Sequence, residues 1–451
     1  MDGALLRSCA YMSRVFYRDP THSYPLAVRG EGVYLYDSTG KQYLDGSGGA
    51  AVSCLGHGHP VVIEAIKTQL DKLAYAHTAF FTTAAQEQLA EQLARRFGEL
   101  DARVYFLSGG SEANETAIKL ARQYWVARGR SDKQIIVSRR QSYHGNTLGA
   151  LSASGNPDRR EIFAPLLHDW PKIDACHAYR QRREDESDAD YGLRAAQALE
   201  RAIVEHGAAN IAAFIAETVV GATLGAVPAS AGYFKAVRRI CDEHDILLIL
   251  DEVMCGSGRS GTYFAFEQEG IRPDIVTIAK GLGGGYQPIA ATISRGFVHD
   301  TIVDEHKTFA HGHTYVGHAT ACAAALAVAG VIDADGLLDK VTKTGNRLMS
   351  ELEIAFERHP HVGDIRGRGL FVGIELVVDR DTGQPAPASL AARLRADAMA
   401  NGLIVYPGGG TSDGRQGAHI LLAPPFIYDT SHVDELVAKL KTILADIDVK
   451  P

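Results

Sequence analysis

Lys280 closes an apolar run. In DIVTIAK (274–280) it follows six residues that read as a buried strand. Lysine is almost never fully buried without a partner. A desolvated lysine has a depressed pKa and becomes an amine nucleophile suited to Schiff-base chemistry. Two other apolar runs end in acids: IAAFIAE at Glu217, and ILLIL at Asp251-Glu252. A carboxylate there is costly unless a cation faces it. VYFL (104–107) runs into Ser108-Gly109-Gly110-Ser111-Glu112. The glycines allow close backbone approach, and Ser111 reads as an N-cap. The helix start then offers free N–H groups and a positive dipole end, a seat for phosphate. Taken alone, the same turn reads more readily as an ordinary capped strand-to-helix connection. QIIV (134–137) leads to Ser142-Tyr143-His144-Gly145, where Tyr143 can stack on a planar ligand or simply pack.

The elements that carry these residues alternate strand and helix from about 103 to 295. Strands are expected at 104–107, 134–137, 211–217, 246–250, 274–279 and 289–293. Several are continuous apolar runs, as in parallel strands buried on both faces. Ligands of an open parallel sheet sit beyond the carboxyl ends of its strands, where the lysine, the two acids, the tyrosine and the glycine turn all fall. Ahead of this region, 28–49 reads as a β-meander around the turn Ser38-Thr39-Gly40. RQRREDESDAD (180–190) reads as a solvated surface loop. After about 320 come helices at 319–330 and 336–358, a strand at 368–377, a helix at 388–401, a Gly-rich loop at 408–417 and a last helix at 430–446. The expected division is an N-terminal segment 1–58, a large α/β domain 59–325, and a smaller α+β domain 326–451 that the N-terminal segment joins.

Composition narrows the class. The 451 residues carry 46 Lys+Arg and 54 Asp+Glu, a net charge of −8. That balance speaks against a nucleic-acid binder. With 46% hydrophobic and 22% charged residues the chain is an ordinary globular one. Its 46 glycines exceed the usual share and suit loops that approach a ligand. Six cysteines (9, 54, 176, 241, 255, 322) show no CxxC pair, which fits a reducing cytosol better than a disulfide framework or zinc site. The opening MDGALLRSCAYMSRVFYRDP lacks the apolar core of a signal peptide, and no window approaches 18 apolar residues. A cytoplasmic protein is expected.

One ligand accounts for the whole set: pyridoxal 5′-phosphate (PLP). Its phosphate needs a helix N-terminus, its ring a stacking face and an apolar face, its pyridine nitrogen an anion, and its aldehyde a lysine. The motifs SGGSEANETAIKLAR, SYHGNT, LILDEV with GSGRSG behind it, IAKGLGGG and HGHTYVGHATACAAALA resemble the class III aminotransferases of PLP fold type I, in order and spacing along nearly the whole chain. The resemblance implies a large domain with a mostly parallel seven-stranded sheet plus a smaller α+β domain built from both chain ends. It implies that Lys280 binds the cofactor and moves a proton, that Asp251 pairs with the pyridine nitrogen, and that Tyr143 and Val253 cover the two ring faces. Gly110 and Ser111 would hold the phosphate, and Glu217 would lie near the cofactor edge. Thr314 would reach the phosphate in a neighbouring subunit, so a homodimer or dimer of dimers is expected.

Departures refine the reading. Met254 follows Asp251-Glu252-Val253 where many relatives have Gln. Asn146 stands where glutamate-using relatives have an arginine after Tyr-His-Gly. The Glu–Arg pair that opens for glutamate in those relatives aligns with Ala222 and Leu421. Together these resemble pyruvate-dependent ω-aminotransferases. Such relatives carry a mobile arginine ahead of Pro-Pro, matched here by Arg415 in GGGTSDGRQGAH, which reads equally as a solvated loop residue. Phe80 and Phe81 match a substrate-lining segment, or else ordinary core. The expected reaction is ping-pong transfer of an amino group from an amine or amino acid to a keto acid. A racemase or epimerase on the same frame is the alternative. HxH pairs at His57/His59 and His311/His313 have no acid at ligand spacing, so no metal is expected. GLGGG follows a lysine rather than opening a helix after a first strand, so a nicotinamide site is not expected.

Overall fold

The computed structural model describes residues 13–20, 22–445 and 447–449. Cys9 and most of the opening segment lie outside the described residues.

The centre is a seven-stranded sheet. Its order is Arg103–Leu107, Ala290–Ser294, Ile275–Ile278, Leu247–Asp251, Ile211–Glu217, Ile135–Arg139, Lys172–Ile173. Only Ala290–Ser294 runs antiparallel to its neighbours. The expected strands therefore form, and the apolar runs explain why: every residue of Ile211–Glu217 and of Leu247–Asp251 is buried. Burying each Leu or Ile side chain there contributes roughly 1.5–3 kcal/mol. The two-residue strand Lys172–Ile173 carries no apolar run long enough to announce it.

Register brings the chemistry to one edge. Asp251 lies directly beside Glu217 on one neighbouring strand and beside Thr277 on the other. Lys280 follows two residues after Ile278, in a short 3-10 turn with φ of +47°. A non-glycine residue in that left-handed region is strained. On the opposite flank, helix Gly110–Ala127 starts three residues after its strand ends.

A second core joins the two ends of the chain. Val33, Leu44, Cys54 and Leu55 pack with Val372, Ile374, Ile420, Leu422 and Leu436. The N-terminal meander Ala27–Glu31, Tyr34–Asp37 and Gln42–Asp45 is extended by Leu403–Ile404, which pairs parallel to Gln42–Asp45. The Asp37 carboxylate organises the turn after it by accepting from Thr39 N and Oγ1 and from Lys41 N. One expectation is corrected here. The run at 368–377 is not a single strand but the second arm of a hairpin, Val362–Arg368 with Phe371–Asp379, turning at Gly369 with φ of +57°. The final helix Thr430–Leu444 is capped by Asp429, which accepts from Ser431 N and His432 N. No single helix among the described residues is long and apolar enough to cross a membrane. The most apolar, Ala319–Ala334, bends by 68° into Leu337–Phe356 and is buried along much of its length.

Candidate active site

A cavity of about 480 Å³ opens at the carboxyl ends of the central strands. Gly110, Ser111, Tyr143, Glu217, Asp251, Val253 and Lys280 all line it. Residues more than 160 positions apart thus share one surface.

Asp251 is held on both oxygens. Its Oδ2 accepts from Asn114 Nδ2 at 2.7 Å and pairs with His144 Nδ1 at 2.8 Å, while its Oδ1 accepts from Val253 N at 3.0 Å. Asn114 is itself fixed: its Nδ2 also reaches His144 O, and its Oδ1 accepts from Thr277 Oγ1 at 2.8 Å. Asn114 and His144 are the supporting residues that the motif reading quoted but did not assign. Asparagine is disfavoured inside helices, so a buried Asn one turn above Gly110 is the signal that could have singled it out.

Two lysines show what burial does. Lys133 Nζ donates to Ala208 O, Ile211 O and Asp245 O, so its charge serves structure. Lys280 Nζ has no hydrogen bond or ion pair among the described residues. Burial lowers the Lys280 pKa, with the carboxylates of Asp251 and Glu217 opposing the shift. A neutral amine is therefore accessible nearer to neutral pH than in water. Glu217 shows the reverse. Burial pushes its pKa up to about 7 and the Asp251 charge adds to the rise, while His144 and Arg139 work against it. Glu252 faces away from this chemistry: its carboxylate accepts from Thr218 Oγ1, Ala265 N and Phe266 N.

The phosphate seat needs one correction. The N-cap is Gly109, with extended backbone and no capping side chain, and Ser111 sits in the first turn. Ser111 Oγ accepts from Asn146 N at 3.1 Å and donates to Asn146 Oδ1 at 3.0 Å. The first N–H groups of the helix thus have no capping side chain, and an 18-residue helix directs its dipole at them. Gly110 is required here, since a Cβ would lie 2.7 Å from Val253 Cγ1. Gly145 approaches equally closely: a Cβ would lie 2.6 Å from Ser111 Oγ, and its φ is +138°.

These residues fit PLP. The helix start matches its phosphate, the fixed Asp251 carboxylate its ring nitrogen, Lys280 its aldehyde, and Tyr143 and Val253 its ring. Glu217 Oε2 is buried without a partner. That orphan acceptor is costly unless something polar reaches it.

The remaining candidates lie elsewhere on this chain. Phe80 and Phe81 are 80% and 67% exposed, so they are not core residues. Thr314 is exposed, and its carbonyl accepts from Tyr75 Oη at 2.9 Å. Arg415 is exposed and lies 3.6 Å from Glu161. None of these four lines the cavity. Met254 does line it; Ala222 and Leu421 are buried apolar positions.

Fold and site together define a PLP-dependent enzyme of fold type I. The comparisons agree. The family model for aminotransferase class-III matches residues 16–444. An uncharacterised aminotransferase of Schizosaccharomyces pombe is 42% identical over 97% of this chain and 96% of its own length. Taurine–pyruvate aminotransferase of Bilophila wadsworthia is 34% identical over 94% of this chain and 92% of its own. An (S)-enantioselective ω-transaminase from Thermomicrobium roseum superposes with a TM-score of 0.91 at 35% identity, covering 99% of both chains. The chain belongs to the class III aminotransferases, and its cofactor is PLP.

Proposed function

We propose that this aminotransferase moves an amino group from an amine or amino acid donor to pyruvate in two half-reactions at one site. The observation that carries the reading is the unpaired, desolvated Lys280 amine sharing a cavity with the doubly anchored Asp251 carboxylate. When bound, PLP supplies an electron sink that makes the donor Cα–H acidic. Lys280 Nζ, neutral, takes that proton as general base. Asp251 holds a proton on the ring nitrogen, and the Asn114–His144 brace fixes its orientation. The helix start at Gly110 would bind the phosphate, joined by the Ser111 hydroxyl once it turns away from Asn146 Oδ1, with Tyr143 and Val253 confining the ring. Glu217, whose Oε2 is buried without a partner, would accept a hydrogen bond at the cofactor edge.

Pyruvate is favoured by what is missing. Glutamate and its keto acid carry a second carboxylate that needs a cation. Ala222 and Leu421 are buried apolar residues where the Glu–Arg pair of glutamate-using relatives aligns. Asn146, at the third position, is engaged with Ser111. The name of the Bilophila relative points the same way. The test is an absorption spectrum of the purified holoenzyme. The visible band of bound cofactor should bleach with alanine and return with pyruvate. Bleaching by glutamate alone would overturn pyruvate as the acceptor.

We place Arg415 as the group that receives the keto-acid carboxylate, on a loop with glycines at 408–410, 414 and 417. To do so it must leave Glu161. Arg415→Ala should raise KM for pyruvate about tenfold or more, the value of a charge-assisted hydrogen bond, with much smaller losses for carboxylate-free amines. Equal losses would remove Arg415 from this role.

We further propose a homodimer in which Thr314, Phe80 and Phe81 complete the partner's site. Their exposure on a single chain supports this. Among the described residues, the two largest apolar cores support the division at about 58 and 325, with Val62 and Ala324 packing on the core of the smaller domain. The five described cysteines, all free thiols, support a cytoplasmic location.

A further inference from the structure

Lys280 is the only lysine or arginine lining the cavity among the described residues, and two carboxylates face it. A substrate acid group entering that space needs a cation that neither Lys280 nor the latched Arg415 provides at rest. Arg159 does not line the cavity itself but lies against a residue that does. Its guanidinium carbon lies 4.3 Å from the ring centroid of Tyr143, a cavity-lining residue. The side chain is exposed and has no acidic or carbonyl partner among the described residues. Its neighbour Arg160 is the opposite case, donating to Leu151 O, Ser152 O and Ser154 O and so pinning the turn. Asn156 caps the same turn by accepting from Arg159 N. The Gly-rich loop closes over it: Gly414 lies against Pro157, and Gln141 Nε2 donates to Gly410 O and Thr411 O.

A guanidinium stacked on a phenol uses its face. Its N–H groups remain at the edge, able to grip an oxyanion bidentately. The positive charge of Arg159 also adds slightly to the burial that lowers the Lys280 pKa, which places it within electrostatic reach of the amine.

We propose that Arg159 is a specificity-determining residue that binds the carboxylate or sulfonate of acid-bearing substrates at the cavity mouth. It differs from Arg415 in stacking on a cavity-lining side chain, whereas Arg415 lies in a loose surface pair with Glu161. The proposal rests on the transamination reading above and names the substrate class it admits: short chains with an acid group.

The experiment uses the holoenzyme with matched substrates, β-alanine against propylamine and taurine against ethylamine as donors, and pyruvate against propanal as acceptors, each half-reaction followed separately. Arg159→Gln should lower the preference for the acid-bearing member of a pair about 10- to 100-fold, chiefly through KM. Arg159→Lys should recover part of it. A loss in the donor half assigns Arg159 to the donor acid, and a loss in the acceptor half assigns it to the keto acid; either supports the proposal. Unchanged preference, or equal losses for both members of every pair, overturns it. Calorimetric binding of propionate, which needs no turnover, decides the point independently. It should weaken by the same factor in Arg159→Gln, and unchanged binding sinks the proposal. Wild-type enzyme that binds propionate through Arg159 yet transfers an amino group from neither these donors nor alanine to pyruvate would count against the proposed pyruvate transamination instead.

Discussion

Lys280→Ala should leave no measurable amino transfer, a loss of at least ~10⁴-fold, because a general base alone is worth up to that and the nucleophile is lost with it. The fold should survive. The Lys280 amine makes no hydrogen bond or ion pair among the described residues, so its removal orphans no partner. Burial disfavours its charge, so removing it relieves a cost rather than creating one. Alanine inherits the left-handed backbone at φ of +47°, a strain of ~1 kcal/mol already present in the lysine enzyme. Thermal unfolding should therefore shift little while turnover disappears. Lys280→Arg separates charge from chemistry. It keeps a cation facing Asp251 and Glu217, yet a guanidinium stays protonated and offers no neutral amine. It should be as inactive as the alanine variant. Substantial turnover in either variant would mean that another group takes the proton.

Why so much of this site is legible in the sequence follows from where it sits. Parallel strands buried on both faces are written as apolar runs, so a polar residue that ends one stands out: Glu217, Asp251 and Lys280 each break such a run. The glycine turn before Gly110 is likewise local. What was not legible depends on distance across the chain. Nothing near Asn114 says that it reaches Asp251, 137 residues away. Ser111 looks like an N-cap because serine favours that position, but its hydroxyl bonds Asn146 instead and leaves the cap to Gly109. The hairpin at 362–379 is hidden in its first arm because VGDIRGR has a single buried apolar residue, Val362, and no clean alternation. Arg159 gave no signal at all, since its meaning comes only from lying on Tyr143.

Asp251→Asn should reduce turnover by roughly 10²- to 10⁴-fold, and the argument turns on charge rather than shape. Removing one member of a buried ion pair costs about 3–5 kcal/mol, and each 1.36 kcal/mol is a tenfold change. Asparagine fills the same volume and can still accept from Val253 N through its carbonyl. It cannot serve both Asn114 Nδ2 and His144 Nδ1 as the carboxylate Oδ2 does. Whichever donor loses its acceptor is stranded in a buried site, so some loss of stability accompanies the loss of rate. A second readout isolates the charge. Glu217 owes its raised pKa first to burial and in part to the Asp251 carboxylate, so the variant should lower it from about 7. The sign follows. A carboxyl whose folded pKa exceeds its unfolded value of 4.5 favours folding when protonated, and that stabilisation is lost as pH rises from about 4.5 to about 7. In Asp251→Asn the upper end of that window should move down. Asp251→Ala, which also loses the charge, should move it the same way while losing the brace altogether. If both variants kept the wild-type rate, the ring nitrogen would not depend on Asp251. If they lost rate with no movement of the Glu217 titration, the effect would lie in packing and not in the carboxylate's charge.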